Sequence, residues 1–312
     1  MPQNADHVGC DVSKDWIDVM VLGRGERFRV GNDESGRAEV VERLLALAPA
    51  AIGVEASGGY ERALIRALLG AGLPARQVNP YQLRRFAQAL GIKAKSDRLD
   101  AEVIARFVAT LPTRPAVRAP EIERLAELVL ARQQLCEDKV RIENQAEHAR
   151  AVEVERLCRR RLRALALEIA LLDKRIAALV AADPVLAARD RLLRSAPGVG
   201  PVFSHTLIAL MPELGQLTPA EAAALLGVAP FDHDSGKLKG QRCIWGGRMR
   251  VRNVAYMAAM SAMRHNPVLA ETRQRLKAKG KAAKVVIVAV MRRLITILNA
   301  MLRDGTPWRA EA

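Results

Sequence analysis

Apolar residues recur along this chain in two rhythms, and the change between them divides it. From residue 7 to 31 they come in short runs, Val8–Val12, Trp16–Leu22 and Arg27–Val30. Ser13-Lys14-Asp15 and Gly23-Arg24-Gly25 stand between the runs. Short apolar runs parted by turn-forming residues predict three meandering strands. A helical period follows at about 36–48, with Val40, Val41, Leu44, Leu45 and Leu47 on its inner side. Ala50–Val54 predicts a buried strand ending at Glu55, and Gly58-Gly59 opens a helix through Leu69. Residues 74–78 predict another strand, with helices at about 80–90 and 97–110. A meander followed by β-α-β-α is the order of a ribonuclease-H-like sheet.

The rhythm breaks at Pro112 and the proline-containing stretch Thr113–Pro120, which reads as a linker. From Glu121 to Ala182 there is no glycine or proline, only a long helical pattern rich in Leu, Ala, Arg and Glu. A coiled-coil hairpin is expected, turning near 147–155 where the apolar pattern thins, with oligomerisation or spacing as its role. Asp183-Pro184 breaks the helix and opens a second, mainly helical domain with a Gly-rich charged segment at about 227–250. The class is therefore α/β plus α, divided into 1–112, a linker and helical connector over 113–183, and 184–312. Val285–Leu302 is the longest apolar stretch, but Arg292 and Arg293 interrupt it, which predicts a buried helix and no membrane span. Met1–His7 carries no signal-like apolar core.

Charge then narrows the partners. Lys and Arg number 49 against 34 acids, a net charge of +15 and a pI near 10.3. A soluble chain this basic points to a polyanion, and nucleic acid first. Aromatics are only 4% of the chain, which favours grips on phosphates over extended base-stacking platforms. Cys10, Cys136, Cys158 and Cys243 have no paired spacing, so neither a zinc site nor a disulfide framework is expected, and a reducing cytoplasm fits.

Three stretches carry candidate chemistry. In Lys95-Ser96-Asp97-Arg98-Leu99-Asp100 two carboxylates stand about one helical turn apart, ahead of Leu99, Val103, Ile104, Phe107 and Val108. With Ser96 as N-cap, these are ordinary first-turn acids on one reading. Asp11 and Glu55, at the ends of predicted strands in the same domain, support a second: four acids on one α/β sheet suit two Mg²⁺ ions. Asp6, Asp15, Asp18, Asp232 and Asp234 end no buried apolar run and rank lower. Ala196-Pro197-Gly198-Val199-Gly200-Pro201 joins two helical patterns. Gly198 and Gly200 there either present N–H groups to a phosphate or make a tight interhelical turn. No Gly-Lys-Ser/Thr follows, so it is no ATP loop. Finally, Ser235 lies among Lys237, Lys239, Arg242, Arg248, Arg250 and Arg252. Cations around a serine can stabilise the charge of a phosphate under attack and favour the hydroxyl as nucleophile. The alternative is an Asp-Ser-Gly turn in a loop that only grips phosphate. His233-Asp234-Ser235 is no triad, because adjacent residues do not fold onto one another in that geometry. The run Arg159-Arg160-Arg161 with Arg156 and Arg163 is a solvated face or a phosphate contact.

The motifs around Asp11, Glu55 and Asp97, the 196–201 turn, Asp234-Ser235-Gly236-Lys237 and the Gly-Gly-Arg…Val-Arg stretch at 246–252 occur in that order. Together they resemble the DEDD insertion-sequence transposases of the IS-one-ten type, the bridge-RNA-guided recombinases. The resemblance covers nearly the whole chain. It implies a RuvC-like N-terminal domain, a coiled-coil connector and a C-terminal transposase domain. It implies that Asp11, Glu55, Asp97 and Asp100 bind Mg²⁺ and that Ser235 attacks a DNA phosphate, leaving a 5′-phosphoserine link. It further implies donor and target DNA and a structured guide RNA as partners, and a dimer or tetramer of the chain. Ser57 stands where threonine is usual, and Trp245 is bulky for its position. Two other functions remain open on the residues alone: a RuvC-like Mg²⁺-dependent nuclease using water, and a non-catalytic nucleic-acid-binding protein.

Overall fold

The computed structural model describes residues 6–92, 97–111, 120–231 and 243–309. The chain forms two compact units, Met1–Val117 and Arg118–Ala312. The linker expected over 112–119 and the cap Ser96 lie outside the described residues.

The first unit is α/β. It contains β1 (His7–Val12), β2 (Trp16–Val21), β3 (Glu26–Gly31), α1 (Glu34–Leu47), β4 (Ala51–Glu55), α2 (Arg62–Gly70), β5 (Ala75–Val78), α3 (Pro80–Ala89) and α4 (Asp97–Thr110). Among the described residues its five strands run in the order β3-β2-β1-β4-β5. The β1–β2–β3 meander is antiparallel, while β4 and β5 extend the sheet parallel to β1. This mixed sheet is consistent with a ribonuclease-H-like domain. Alternation along β1 sorts its side chains: Val8, Cys10 and Val12 enter one core with Val40, Leu44, Leu64 and Leu68. Burial pushes the Cys10 thiol up to about 12, so it is an inert core residue.

The other face of the sheet takes α4. Gly9 and Gly53 are register partners on neighbouring strands. A Cβ on Gly9 would stand 2.0 Å from the Ala101 carbonyl oxygen and 2.5 Å from the Ala105 nitrogen. One on Gly53 would stand 2.7 Å from Ile104 and 2.8 Å from Val108. Two adjacent glycines thus make a groove in which the helix backbone lies directly on the strands. One expected boundary moves: Gly58 and Gly59 have φ of +73° and +110°, which a right-handed helix does not admit, so α2 starts only at Arg62.

The second unit begins with α5 (Pro120–Glu147) and α6 (Val152–Ala182), which run antiparallel with the reversal at 148–151. There follow α7 (Pro184–Ser195), α8 (Pro201–Leu210), α9 (Pro219–Leu226), β6 (Pro230–Phe231), β7 (Cys243–Ile244), α10 (Met249–His265), α11 (Pro267–Ala278) and α12 (Ala283–Asp304). Proline at the first turn starts α7, α8, α9 and α11, and the side chains of Asp183, Thr218 and Asn266 cap three of them. Leu125, Ala126 and Val129 of α5 and Ile176 and Val180 of α6 share one core with α8 and α12. The open end of the helical hairpin is therefore part of this unit's core. By length and composition α12 is long and apolar enough to cross a membrane, but Val286, Val290, Leu294 and Leu298 are buried in that same core.

Polar groups are buried beside the hairpin's base. Ser204 donates to Asp190 at 2.7 Å, and Arg194 and His205 approach the same carboxylate at 3.3 and 3.5 Å. Burial holds His205 below its ordinary value of 6.5, against the pull of Asp190. The unfolded chain then binds a proton that the folded one refuses, so stability is full above about pH 6.5 and falls as pH drops through and below that value. His205→Gln is expected to flatten this fall, read as thermal midpoints between about pH 8 and 5. An unchanged slope would remove His205 as its cause.

Candidate active site

The ends of β1 and β4 bring two of the expected acids together. Cys10 pairs with Val54, so Asp11 and Glu55 follow as neighbours at the C-terminal ends of parallel strands. Both lie two residues beyond the glycines of the α4 groove, hence on the α4 face. Both are half-buried. Asp100, also half-buried, immediately precedes Ala101, whose carbonyl lies against Gly9. Asp97 starts α4, and its side chain lies outside the described residues.

Asp18, ranked lower from sequence, is the register partner of Asp11. Arg29 holds its carboxylate through Nε and one terminal nitrogen, at 2.9 and 2.8 Å. Directly opposite residues of an antiparallel pair share a face, so Asp18 adds a neutralised carboxylate beside Asp11. Only the cross-strand pairing reveals this. The donor set is oxygen alone, since Cys10 points into the opposite core, and such a set fits a hard divalent cation. Among the described residues no group of three or more His, Cys, Asp or Glu stands close enough to hold a metal.

Glu61 is a site residue that sequence reasoning did not single out. It is buried, 3% exposed. Its carboxylate accepts from the Ser57 and Gly59 backbone N–H groups at 3.2 and 2.8 Å and from Gln77 at 3.0 Å. It thereby fixes the turn that follows Glu55. Glu61→Ala leaves these donors without their acceptor and is expected to lower stability by about 1–3 kcal/mol in a denaturant titration. A smaller change would show that the turn holds itself.

In the second unit, β6 and β7 pair antiparallel, Pro230 with Ile244 and Phe231 with Cys243. They bring together the two ends of the segment 232–242, which lies outside the described residues and contains Ser235, Lys237, Lys239 and Arg242. The ribbon is tied to the unit by a backbone crossing. A Cβ on Gly247 would meet the Gly227 backbone at 2.3 Å, and the Arg248 N–H donates to the Leu225 carbonyl at 2.8 Å. Gly247 is therefore required by packing, while Gly246 has φ +72° and open space where a Cβ would stand. Arg248 grips Glu213 with both terminal nitrogens, at 2.8 and 2.7 Å, and also donates to the Leu210 carbonyl. Arg252 donates to the Gly246 carbonyl at 2.7 Å, and Arg250 faces Glu137 at 3.8 Å. Arg248 and Arg252 of the candidate basic loop thus brace the fold around the start of α10. Gly198 has φ +93°, and a Cβ there would stand 2.4 Å from the Ala262 backbone of α10. Gly200, at the N-terminus of α8, faces open space.

Comparison with known proteins bears on both units. Residues 8–149 match the DEDD transposase model of the IS110 type, described as "Transposase", and residues 190–274 match "Transposase IS116/IS110/IS902 family". Proteins named "Pilin gene-inverting protein" from Moraxella bovis and Moraxella lacunata are each 26% identical over 97% of both chains. The "Insertion element IS110 uncharacterized 43.6 kDa protein" of Streptomyces coelicolor is 30% identical over 43% of this chain and 33% of its own length.

Proposed function

Because the chain belongs to the IS110 family of transposases, and so is a DNA transposase or recombinase, we propose that it cuts and rejoins DNA strands through a covalent link at Ser235. The observation that most supports this reading is the shared face of Asp11 and Glu55 at adjacent strand ends, with α4 laid over it. In the proposed step the Ser235 oxygen bonds to the phosphorus and the bond to the 3′ oxygen breaks. That oxygen leaves as a 3′-hydroxyl, taking up a proton, while the 5′-phosphate stays on the serine. Phosphodiester energy is conserved in the link, so rejoining needs no nucleotide triphosphate. Mg²⁺ bound by Asp11, Glu55, Asp97 and Asp100 would polarise the phosphate and stabilise the departing oxygen. Lys237, Lys239, Arg242 and Arg250 would hold phosphates near the serine, and Arg248 and Arg252 would brace the start of α10 beneath them. Gly200, exposed at the start of α8, would offer its N–H to a further phosphate.

The net charge of +15 suits a protein holding donor DNA, target DNA and a structured guide RNA whose base pairing supplies sequence specificity. The Moraxella relatives are named for inverting a gene, an outcome that itself needs cutting and rejoining. Residues 1–112 would act as the RuvC-like catalytic domain, 113–183 as a coiled-coil connector joining copies into a dimer or tetramer, and 184–312 as the serine-bearing domain. The proposed setting is the cytoplasm.

The test is an adduct assay. The full chain is incubated with Mg²⁺, RNA from its flanking element and matching labelled DNA, then resolved under denaturing conditions. A protease-sensitive DNA adduct mapping to Ser235, absent in Ser235→Ala and Asp97→Asn, is expected. Cut DNA without an adduct would replace this reading with hydrolysis by water, and bound but uncut DNA would favour a binding protein.

A further inference from the structure

Beside the root of the β6–β7 ribbon lies a cleft of about 330 Å³, lined by Ile244 of β7, Arg252, Asn253 and Tyr256 of α10, and Val288 and Met291 of α12. Its volume is at the lower end of the range for small organic ligands. We propose that this cleft receives a single unstacked base of the DNA strand held at the ribbon, an inference that rests on the DNA-cleaving reading above. The lining supplies what a planar heterocycle needs. Tyr256 is 39% exposed and offers a ring for stacking, against the aliphatic surfaces of Ile244 and Val288. The Asn253 amide sets a donor beside an acceptor, the pairing that reads a base edge, and it makes no hydrogen bond among the described residues. Arg252 is anchored through one terminal nitrogen to the Gly246 and Gly227 carbonyls, which places a fixed cation at the rim for the phosphate attached to the base. Among the described residues no acid lines the cleft, and none stands in the first turn of α10.

Place decides which strand. Ile244 pairs with Pro230, so the cleft adjoins the exit of the Ser235-bearing segment. A strand under attack there must be drawn out of its helix, and a pocket for the base next to the reacting phosphate would hold it open. In a chain with so few aromatic residues, this is a local exception to the phosphate-gripping surface that its composition predicts.

The experiment uses the full chain and a single-stranded DNA oligonucleotide with one 5-iodouracil, irradiated at saturating protein and mapped by peptide mass spectrometry. A cross-link at Tyr256 is expected. Asn253→Ala should lower its yield at least about fivefold while oligonucleotide affinity, carried mainly by phosphate contacts, changes less than about threefold. Tyr256→Leu should abolish it. Binding without a cross-link in the cleft, or an unchanged yield in Asn253→Ala, would overturn the inference and leave the DNA-cleaving reading intact. A stronger cross-link with the same sequence as RNA would overturn the assignment to DNA. Failure to bind any oligonucleotide would overturn both readings.

Discussion

Asp11→Asn and Glu55→Gln are each expected to lower DNA strand cleavage by at least about 10³-fold, with folding and DNA affinity retained. Each replacement keeps size and shape and removes one anionic oxygen. Both side chains are half-buried, so the amides meet solvent as well as neighbours, and the sheet beneath is held by Val8, Cys10, Val12, Ile52 and Val54. Neither replacement touches the apolar packing beneath the strand ends, so thermal stability should change little. Single-turnover cleavage with purified variants, alongside thermal midpoints, checks both halves. Cleavage within about tenfold of the natural protein would remove Asp11 and Glu55 from the chemistry.

Gly9→Ala is the most disruptive single methyl expected in the first unit. Its Cβ would stand 2.0 Å from the Ala101 carbonyl and 2.5 Å from the Ala105 nitrogen. Both are backbone atoms, so no side chain can swing aside and α4 itself must lift. Overpacking of this kind costs about 1–3 kcal/mol, and more where backbone has to move. Lifting α4 also carries Asp100 away from Asp11 and Glu55, so activity should fall by more than the loss of folded protein explains. Cleavage per folded molecule, with the folded fraction measured by denaturant titration, separates the two. A variant of natural stability would show that α4 does not rest on the strand as described.

Much of this architecture is legible in the chain. Short apolar runs bounded by Ser13-Lys14-Asp15 and Gly23-Arg24-Gly25 announce the meander, and the helical spacing of Val103, Ile104, Phe107 and Val108 announces α4. What is not legible depends on pairing between distant segments. Nothing local says that Gly9 stands beside Gly53, yet that adjacency admits α4. Asp18 ends no buried run, and only its register with Asp11 brings it to the same face. Glu61 looks like any first-turn acid until three donors converge on it. Arg248 counts toward a phosphate-binding patch by charge, while its partner Glu213 is far off in sequence. Gly247 is one glycine of a Gly-rich charged segment by sequence, and only the fold shows that it must pass against Gly227.

The β6–β7 ribbon has an evolutionary corollary. Because Pro230 pairs with Ile244 and Phe231 with Cys243, the intervening segment enters and leaves the unit at one point. Closing a loop across fixed neighbours costs more only as the logarithm of its length, so insertions or deletions there need not propagate into the helices. The stretch of sequence between β6 and β7, which carries the proposed nucleophile, is in effect an exchangeable cassette on a constant mount. Its length could change while the surrounding helices stay as they are.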